Sequence, residues 1–269
     1  ELSTVSWVVG SLITTGLIFY FSKSGQVLDS LYGYIVGWIV MAAMSLYFVQ
    51  KYLKNVLPIF DYKYFLELLK NTWPITLTLI LNTFYFRVDT FLLSFFKNFE
   101  TVGVYNLSFS IFQFAITIPT FMMNVIYPLM IKDFKNDKRV FLKDVKFYAL
   151  IFLLISVVGT LLTFILSSFI INLLSGGTGF RDGAKILNIL ALGFPAFFLS
   201  SLVLWVLMVY KSYKSFLVVY FFGLVINIVL NFIYIPKYSY IASAYITGVC
   251  EYLILIGLSF ILFLQAAKK

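Results

Sequence analysis

Two opposite charges lie two residues apart in one of the most apolar stretches of the chain, NTFYFRVDTFLLSFF at residues 82–96. They belong to Arg87 and Asp89. Helical geometry places the two side chains about 200° apart around the axis, so they do not simply neutralise each other. Ionisable groups inside a membrane-spanning helix are costly and usually serve a function. The depth of Arg87 therefore suggests a functional group, although an ion pair from Arg87 to another helix is the structural alternative.

Neutral polar side chains form a stripe in the next apolar stretch. Their spacing alternates between four and three residues, which puts all of them on one face of an α-helix. Unpaired amides in hydrocarbon are costly, so this face must meet other helices or a wet cavity. We favour a cavity, with hydrogen bonds between helices as the alternative. The stripe consists of Asn106, Ser110, Gln113, Thr117, Thr120 and Asn124.

The stretch around Arg87 carries a similar stripe, and Asn82 shares a neighbouring face with Asp89. A further carboxyl group, that of Glu251, follows Ser243 and Thr247 at helical spacing in the last apolar stretch. A carboxyl at that depth could hold or pass a proton, or could be a buried acid bonded to a neighbour. The candidate substrate-cavity residues are therefore Arg87, Asn82, Thr83, Thr90, Asn106, Ser110, Gln113, Thr117 and Asn124, and the cation-coupling candidates are Asp89 and Glu251.

The composition indicates an integral membrane protein. Hydrophobic residues make up 62% of the 269 residues and charged residues 12%, whereas about 25% of a soluble domain is charged. The chain has one cysteine, Cys250, and no histidine. A disulfide framework, a Cys/His metal site and Ser-His or Cys-His catalysis are thereby excluded. We expect neither a bound metal nor an enzyme.

Eight apolar segments are long enough to cross a membrane as helices. Pro119 and Pro128 would kink the long fourth segment, and Pro74 and Pro195 suggest bends in the third and the sixth. Because the chain begins with Glu1 close to an apolar run, we expect further sequence upstream of it. The segments lie at about 4–22, 30–50, 72–96, 101–131, 148–174, 183–210, 214–235 and 239–265.

Basic residues alternate between the loops. Most of the 20 lysines and arginines lie in loops 51–71, 132–147 and 211–214 and at the C-terminal end. The positive-inside rule places these loops and both chain ends in the cytoplasm. The net charge of +9 is then a topology signal and a means of contact with anionic lipid, not a nucleic-acid face. The segment DYKYFLELLK, at 61–70, predicts an amphipathic elbow on the inner membrane surface.

Several segments resemble a known transporter family. The stretch NTWPITLTLILNTFYFRVDTFLLSFFKNFETVGVYNLSFSIFQF resembles the start of the C-terminal lobe of polysaccharide-export flippases. These are the Wzx-type O-antigen and capsule flippases of the multidrug/oligosaccharidyl-lipid/polysaccharide superfamily. The similarity rests on Pro74, on Arg87-Val88-Asp89 and on Gly103-Val104-Tyr105.

Two later segments are also similar to that family. They are GAKILNILALGFP at 183–195 and LNFIYIPKYSYIASAYIT at 230–247. The family usually has a glycine-rich start of the last helix, whereas this chain has Ser239 and Ala242-Ser243-Ala244 there.

Together with the eight segments, the resemblance implies an all-α integral membrane fold with eight transmembrane helices. Six of them would form the C-terminal lobe of a two-lobe transporter, at 72–265. Residues 1–50 would be the last two helices of a truncated N-terminal lobe, and 51–71 a cytoplasmic linker with the amphipathic elbow. The implied function is flipping of undecaprenyl-diphosphate-linked sugar repeats by alternating access, for O-antigen, capsule or exopolysaccharide biosynthesis. The implied location is the bacterial or archaeal cytoplasmic (inner) membrane, as a multi-pass protein.

The expected partners are membrane lipids, a polyprenyl-diphosphate-linked oligosaccharide and other membrane proteins of polysaccharide assembly, with no nucleic acid. No cofactor is expected, and transport would be coupled to Na⁺ or H⁺. A cation-coupled multidrug antiporter of the same superfamily is the alternative, because the abundant Phe and Tyr residues suit an aromatic drug pocket. A membrane enzyme such as a sugar-repeat polymerase is disfavoured, because the outer loops are short and no carboxylates are paired at catalytic spacing.

Overall fold

The structure is a computed structural model, and it describes residues 2–22, 27–50, 61–177, 180 and 182–267. Helices account for nearly all of these residues, and no strand occurs among them. Four lysines of the predicted topology signal, Lys51, Lys54, Lys268 and Lys269, lie outside the described residues, as do residues 51–60 of the 51–71 linker. The helices are α1 (Leu2–Ser22), α2 (Val27–Gln50), α3 (Tyr62–Phe96), α4 (Phe99–Ala115), α5 (Ile118–Asn136), α6 (Lys138–Ser175), α7 (Gly183–Ala191), α8 (Phe194–Val209) and α9 (Tyr213–Ala267).

The described helices supply eight apolar spans, as predicted. Five segments have the length and hydropathy of a span: α2, α3, the pair α4–α5, α6 and α9. The bent pair α7–α8 is a sixth. The 55 residues of α9 would extend about 80 Å, which is enough for two crossings of a hydrocarbon core of about 30 Å. The shorter apolar helix α1 completes the set.

The number of helices differs from the eight segments in three places, and proline explains two of them. The predicted span 101–131 is divided between α4 and α5, because Pro119 stands at the start of α5 and supplies no N–H to the preceding turn. The predicted span 183–210 is divided into α7 and α8, which meet at 44° with Pro195 at the start of α8. Helix α3, by contrast, continues through Pro74.

The third difference is at Ser239, where the last two predicted spans join into α9. Ser239 has φ 55° and ψ −143°, a combination that is essentially restricted to glycine. The helix therefore kinks there and turns back as a second span. Just before the kink, the Lys97 ammonium group donates a hydrogen bond to the Pro236 carbonyl at 3.0 Å. The serine thus occupies a backbone conformation in which glycine is the usual residue.

The chain forms two compact units, residues 1–66 and 67–269. In the first, α1 and α2 pack closely because both present glycine: a Cβ on Gly33 would lie 3.0 Å from the backbone of Leu17. Such small-residue contacts let helix backbones approach in a membrane. Residues 62–70 are helical, and Asp61, which precedes them, accepts through its Oδ1 from the backbone N–H of Lys63 at 2.9 Å. These residues form the first turns of α3 rather than a separate helix, and their position on the membrane surface stays a prediction.

The second unit is built around stacked aromatic rings from three of its spans. Phe112 of α4 stacks on Phe194 of α8 at 5.3 Å and meets Phe197 edge-on at 5.2 Å. Phe86 of α3 stacks on Phe197 at 6.0 Å. Each such pair adds about 0.5–1.5 kcal/mol to the burial of its area. These rings fix α3, α4 and α8 relative to one another and so position the polar groups described next.

Candidate functional site

Among the described charged groups of the second unit, Asp89 is the most completely enclosed, with 1% of its side chain exposed. Its Oδ2 accepts hydrogen bonds from the hydroxyls of Tyr105 at 3.0 Å and Thr247 at 2.6 Å. Its Oδ1 accepts from the Asn231 amide at 2.9 Å. The three donors come from α4 and from both halves of α9. The carboxylate is therefore compensated by neutral donors, and Arg87 takes no part.

The same cluster contains oxygen atoms that lack a donor. Asn231 Oδ1 and Ser243 Oγ are buried and have no hydrogen-bond partner among the described residues, and the neighbouring amide nitrogen Asn227 Nδ2 has none either. The Thr247 hydroxyl has one proton, yet it faces two acceptors, the Asp89 carboxylate and the Ser243 carbonyl at 2.8 Å. A buried carboxylate surrounded by such oxygens can be satisfied by a bound proton or by a small cation that prefers oxygen ligands.

Glu251 forms a second buried carboxyl site one helical turn beyond Thr247, and 3% of its side chain is exposed. The Ser200 hydroxyl donates a hydrogen bond to its Oε1. Tyr85 lies between the two carboxyl sites. Its hydroxyl donates to the Thr247 carbonyl at 3.3 Å and also interacts with the Glu251 carboxyl. The two carboxyls are thus linked through Tyr85 and one turn of α9.

Glu251 differs from Asp89 because it lines a cavity of about 370 Å³ inside the second unit. Amide and hydroxyl groups form one part of the lining and aromatic rings form another, an arrangement typical of a binding pocket for an organic molecule. The polar lining residues are Thr78, Asn82, Gln113, Thr117, Thr120, Ser200, Ser201 and Glu251, and the aromatic ones are Phe86, Phe197, Trp205, Phe216 and Tyr220.

The cavity brings together part of the set predicted from sequence. Asn82, Gln113, Thr117 and Glu251 line it. The remaining members of the set, Arg87, Thr83, Thr90, Asn106, Ser110, Asn124 and Asp89, are not in its lining. One hydrogen bond joins the two polar stripes outside the cavity, from the Thr90 hydroxyl to Asn106 Oδ1 at 2.7 Å.

Arg87 is exposed on the surface of the second unit, and within the described part of the chain it forms no ion pair. The structural alternative for this arginine, a salt bridge to another helix, is therefore not formed among those residues. Thr83 and Ser110 are also exposed, and each hydroxyl donates to the carbonyl four residues earlier in its own helix, at 2.9 and 2.8 Å. Asn124 is exposed as well. Hydroxyl stripes consequently do not require a cavity, because a helix can satisfy them itself.

Sequence reasoning missed three residues of the two carboxyl sites. Tyr105 and Tyr85 both contact the Asp89 cluster, and Ser200 holds Glu251. A signal for Tyr105 existed, since it ends the Gly-Val-Tyr motif that carried the family resemblance. Tyr85 and Ser200 had no such signal, because a tyrosine among many and a serine in an apolar helix are ordinary in membrane proteins.

Comparison with known proteins identifies the family. A model described as MatE matches residues 74–233, which is more than half of the chain, and one described as polysaccharide biosynthesis protein matches residues 1–134. The chain belongs to the MatE family. The resemblance to the multidrug/oligosaccharidyl-lipid/polysaccharide superfamily is thereby confirmed. No curated protein matches the chain.

The fold of this MatE-family chain is also found in a solved structure. A structure of the lipid II flippase MurJ in an inward closed conformation matches it with a TM-score of 0.71 and 19% sequence identity. The match covers 97% of this chain and 54% of MurJ, so the chain spans about half the length of that protein. The predicted all-α, multi-pass membrane transporter fold is confirmed.

Proposed function

We propose that this MatE-family chain acts in a flippase that moves undecaprenyl-diphosphate-linked sugar repeats across the bacterial or archaeal cytoplasmic membrane by alternating access. The observation that carries the proposal is the cavity within the second unit. It places the amides of Asn82 and Gln113 and the carboxyl of Glu251 beside aromatic rings in an otherwise apolar bundle. Amides and a carboxyl can exchange hydrogen bonds with sugar hydroxyls, and the rings can cover the apolar faces of a sugar.

The exposed face of α3 supplies a complementary group for the diphosphate. Arg87 is unpaired among the described residues, and guanidinium binds phosphate oxygens with paired, directed hydrogen bonds. Thr83 lies one turn away on the same exposed face. In the proposed function, Arg87 attracts the diphosphate while the sugars interact with amide and hydroxyl groups, and the polyprenyl tail stays in the lipid.

Asp89 is proposed to bind the coupling cation. Its carboxylate and the unpartnered oxygens Asn231 Oδ1 and Ser243 Oγ form a buried group of oxygen atoms that suits Na⁺ or H⁺. Because the cluster joins α3, α4 and both halves of α9, occupancy would stabilise one arrangement of these helices over another. Glu251, which lines the cavity, is proposed as a second group that exchanges a cation or proton with the transport path.

The alternative function is a cation-coupled multidrug antiporter, and the aromatic lining of the cavity favours it. Trp205, Phe216 and Tyr220 line the same cavity as Glu251, so the cavity combines aromatic rings with a carboxyl. Such a pocket can bind an organic cation. The membrane enzyme is not proposed, because the cavity offers one carboxyl and the MurJ-like fold is that of a transporter.

Complementation distinguishes the two functions. The protein is tested in the form that its own cell produces. We expect it to restore surface polysaccharide in a strain that lacks its own flippase for lipid-linked repeats. Gln113→Leu, which removes an amide from the cavity, should reduce restoration at least about tenfold, because the sugar hydroxyl that bonds this amide would be left without a partner in the cavity. The measurement is surface polysaccharide at matched membrane expression.

The matched control is Asn172→Leu, which makes a similar amide-to-leucine change at an exposed position of α6 outside the cavity. It should restore polysaccharide like the parent. Cation-dependent efflux of an organic dye without any polysaccharide restoration would contradict the flippase function and support the antiporter function. Equal losses in Gln113→Leu and Asn172→Leu would show that the cavity has no special role.

A further inference from the structure

The turn between α8 and α9 contains a lysine in a backbone conformation that glycine usually occupies. Lys211 has φ 58°. The N–H of Ser212 donates to the Leu207 carbonyl at 3.0 Å, and that of Lys211 donates to the Met208 carbonyl at 3.0 Å. This pair of bonds is a Schellman motif with Lys211 at its left-handed position, where glycine is the usual residue. The fold alone gives no reason to keep a lysine there.

The lysine borders a second cavity, of about 380 Å³, that is separate from the one lined by Glu251. Lys214 also lines it, and both lysine side chains are exposed. No acidic residue occurs in the described lining. The full lining is Pro74, Tyr210, Lys211, Ser212, Tyr213, Lys214, Ser215 and Gln265.

Ser212 provides an independent indication of a ligand in this cavity. Only 9% of its side chain is exposed, and its hydroxyl has no hydrogen-bond partner within the described part of the chain. Ser212 also caps α9: its carbonyl accepts from the N–H groups of Ser215 and Phe216, at 3.1 and 3.4 Å, which leaves those of Tyr213 and Lys214 free at the positive end of the helix dipole. A free hydroxyl, free N–H groups and two ammonium groups all donate hydrogen bonds, so the missing partner is an acceptor with negative charge.

We infer that this cavity is a binding site for a phosphate group, and that the headgroup of an anionic membrane phospholipid is its occupant. The positive-inside rule places the α8–α9 turn at the cytoplasmic side, where anionic headgroups lie at the level of this turn. The phosphate meets Lys211, Lys214 and the Ser212 hydroxyl. The strained lysine is retained because a glycine at the same position would lose one of the two charges. The site is independent of the proposed transport activity.

Lipid binding to the purified chain tests the site. Native mass spectrometry would measure binding of short-chain phosphatidylglycerol and of short-chain phosphatidylcholine, which share the phosphate but differ in net charge. We expect phosphatidylglycerol affinity to fall about fivefold in Lys211→Gly and about fivefold in Lys214→Gln, because each lysine near an anionic lipid contributes about that factor. Binding of phosphatidylcholine should change little.

Two further variants separate the site from folding and from general charge. Lys211→Gly should melt at or above the temperature of the parent, since glycine favours the left-handed conformation, so weaker binding would not be due to unfolding. Lys143→Gln removes an exposed lysine from the first turns of α6, a part of the chain that we also place in the cytoplasm, and should leave the affinity unchanged. Lys211→Arg keeps the charge and should keep most of the affinity.

Inorganic phosphate serves as the second arm of the test. If phosphatidylglycerol binding is insensitive to Lys211→Gly and Lys214→Gln, while both variants weaken an inorganic-phosphate-dependent rise in melting temperature, the cavity is a phosphate site with a soluble occupant. If neither ligand distinguishes these variants from Lys143→Gln, the inference is overturned.

Discussion

Two charged residues on different sides of α3, only two positions apart, lie in opposite environments. Asp89 is buried and accepts three hydrogen bonds from other helices. Arg87 is exposed and has no ion-pair partner among the described residues. Between these extremes, Thr90 makes one bond, to Asn106 of α4. The number of partners falls from three to one to none around the same helix.

This difference separates structural from functional roles of polar groups in a membrane helix. A group with three buried partners is part of the packing, so its loss disrupts the bundle whatever else it does. A group with no protein partner contributes little to the fold, so a ligand or water must explain its presence. The contrast predicts that substitutions around α3 will affect stability in the order of their partner number, and transport in a different order.

Asp89→Ala should have the largest effect on stability. It leaves the donors of Tyr105, Thr247 and Asn231 without their acceptor in a buried site, so we expect the free energy of unfolding to fall by about 3 kcal/mol. Steric trapping in bicelles would measure it. Asp89→Asn keeps the size and one acceptor oxygen and should lose about 1 kcal/mol, but it should abolish cation-dependent transport because the charge is gone. An Asp89→Ala variant as stable as the parent would show that the hydrogen bonds to Asp89 do not stabilise the fold.

Thr90→Val should have an intermediate effect. The substitution keeps the branched shape and removes the hydroxyl that donates to Asn106 Oδ1 at 2.7 Å. Because Asn106 is only half-buried and can find another donor, we expect a loss of about 1 kcal/mol or less, as is usual for hydrogen bonds between membrane helices. The same unfolding measurement applies. Thr83→Val, whose parent hydroxyl bonds only its own helix, is the control and should change stability less. If Thr90→Val lost as much stability as Asp89→Ala, the number of hydrogen-bond partners would not determine the effect of a substitution in α3.

Much of the fold could be predicted because the bilayer imposes a simple length rule. Eight apolar segments gave eight spans, and the prolines at 119 and 195 marked real helix breaks. The joining of the last two spans through Ser239 could not be predicted. A serine in that backbone conformation is rare, and the nearby Lys97–Pro236 hydrogen bond joins residues 139 positions apart, which local sequence patterns do not reveal.

The candidate site was only partly predictable, for a related physical reason. Asn82, Gln113 and Glu251 stood out because amides and carboxyls in an apolar helix need partners or water. The threonines and serines of the stripes gave a weaker signal than expected, because Thr83 and Ser110 are satisfied by their own helices. Helical spacing also could not show that Glu251 lines the cavity while Asp89 does not, since that depends on how α8 and α9 pack.

Arg87→Ala should have the smallest effect on stability and a large effect on function. With no ion pair to lose, the free energy of unfolding should stay within about 0.5 kcal/mol of the parent. If Arg87 instead faced hydrocarbon, the alanine variant would be more stable by about 2.5–3.5 kcal/mol, so a large gain would contradict a polar environment. Polysaccharide restoration should fall strongly in Arg87→Ala and recover partly in Arg87→Lys, because lysine keeps the charge but cannot bind phosphate through two parallel bonds. Unchanged restoration in Arg87→Ala would show that Arg87 has no role in transport. The difference between the Arg87 and Asp89 sides of α3 would then concern the stability of the fold and not transport.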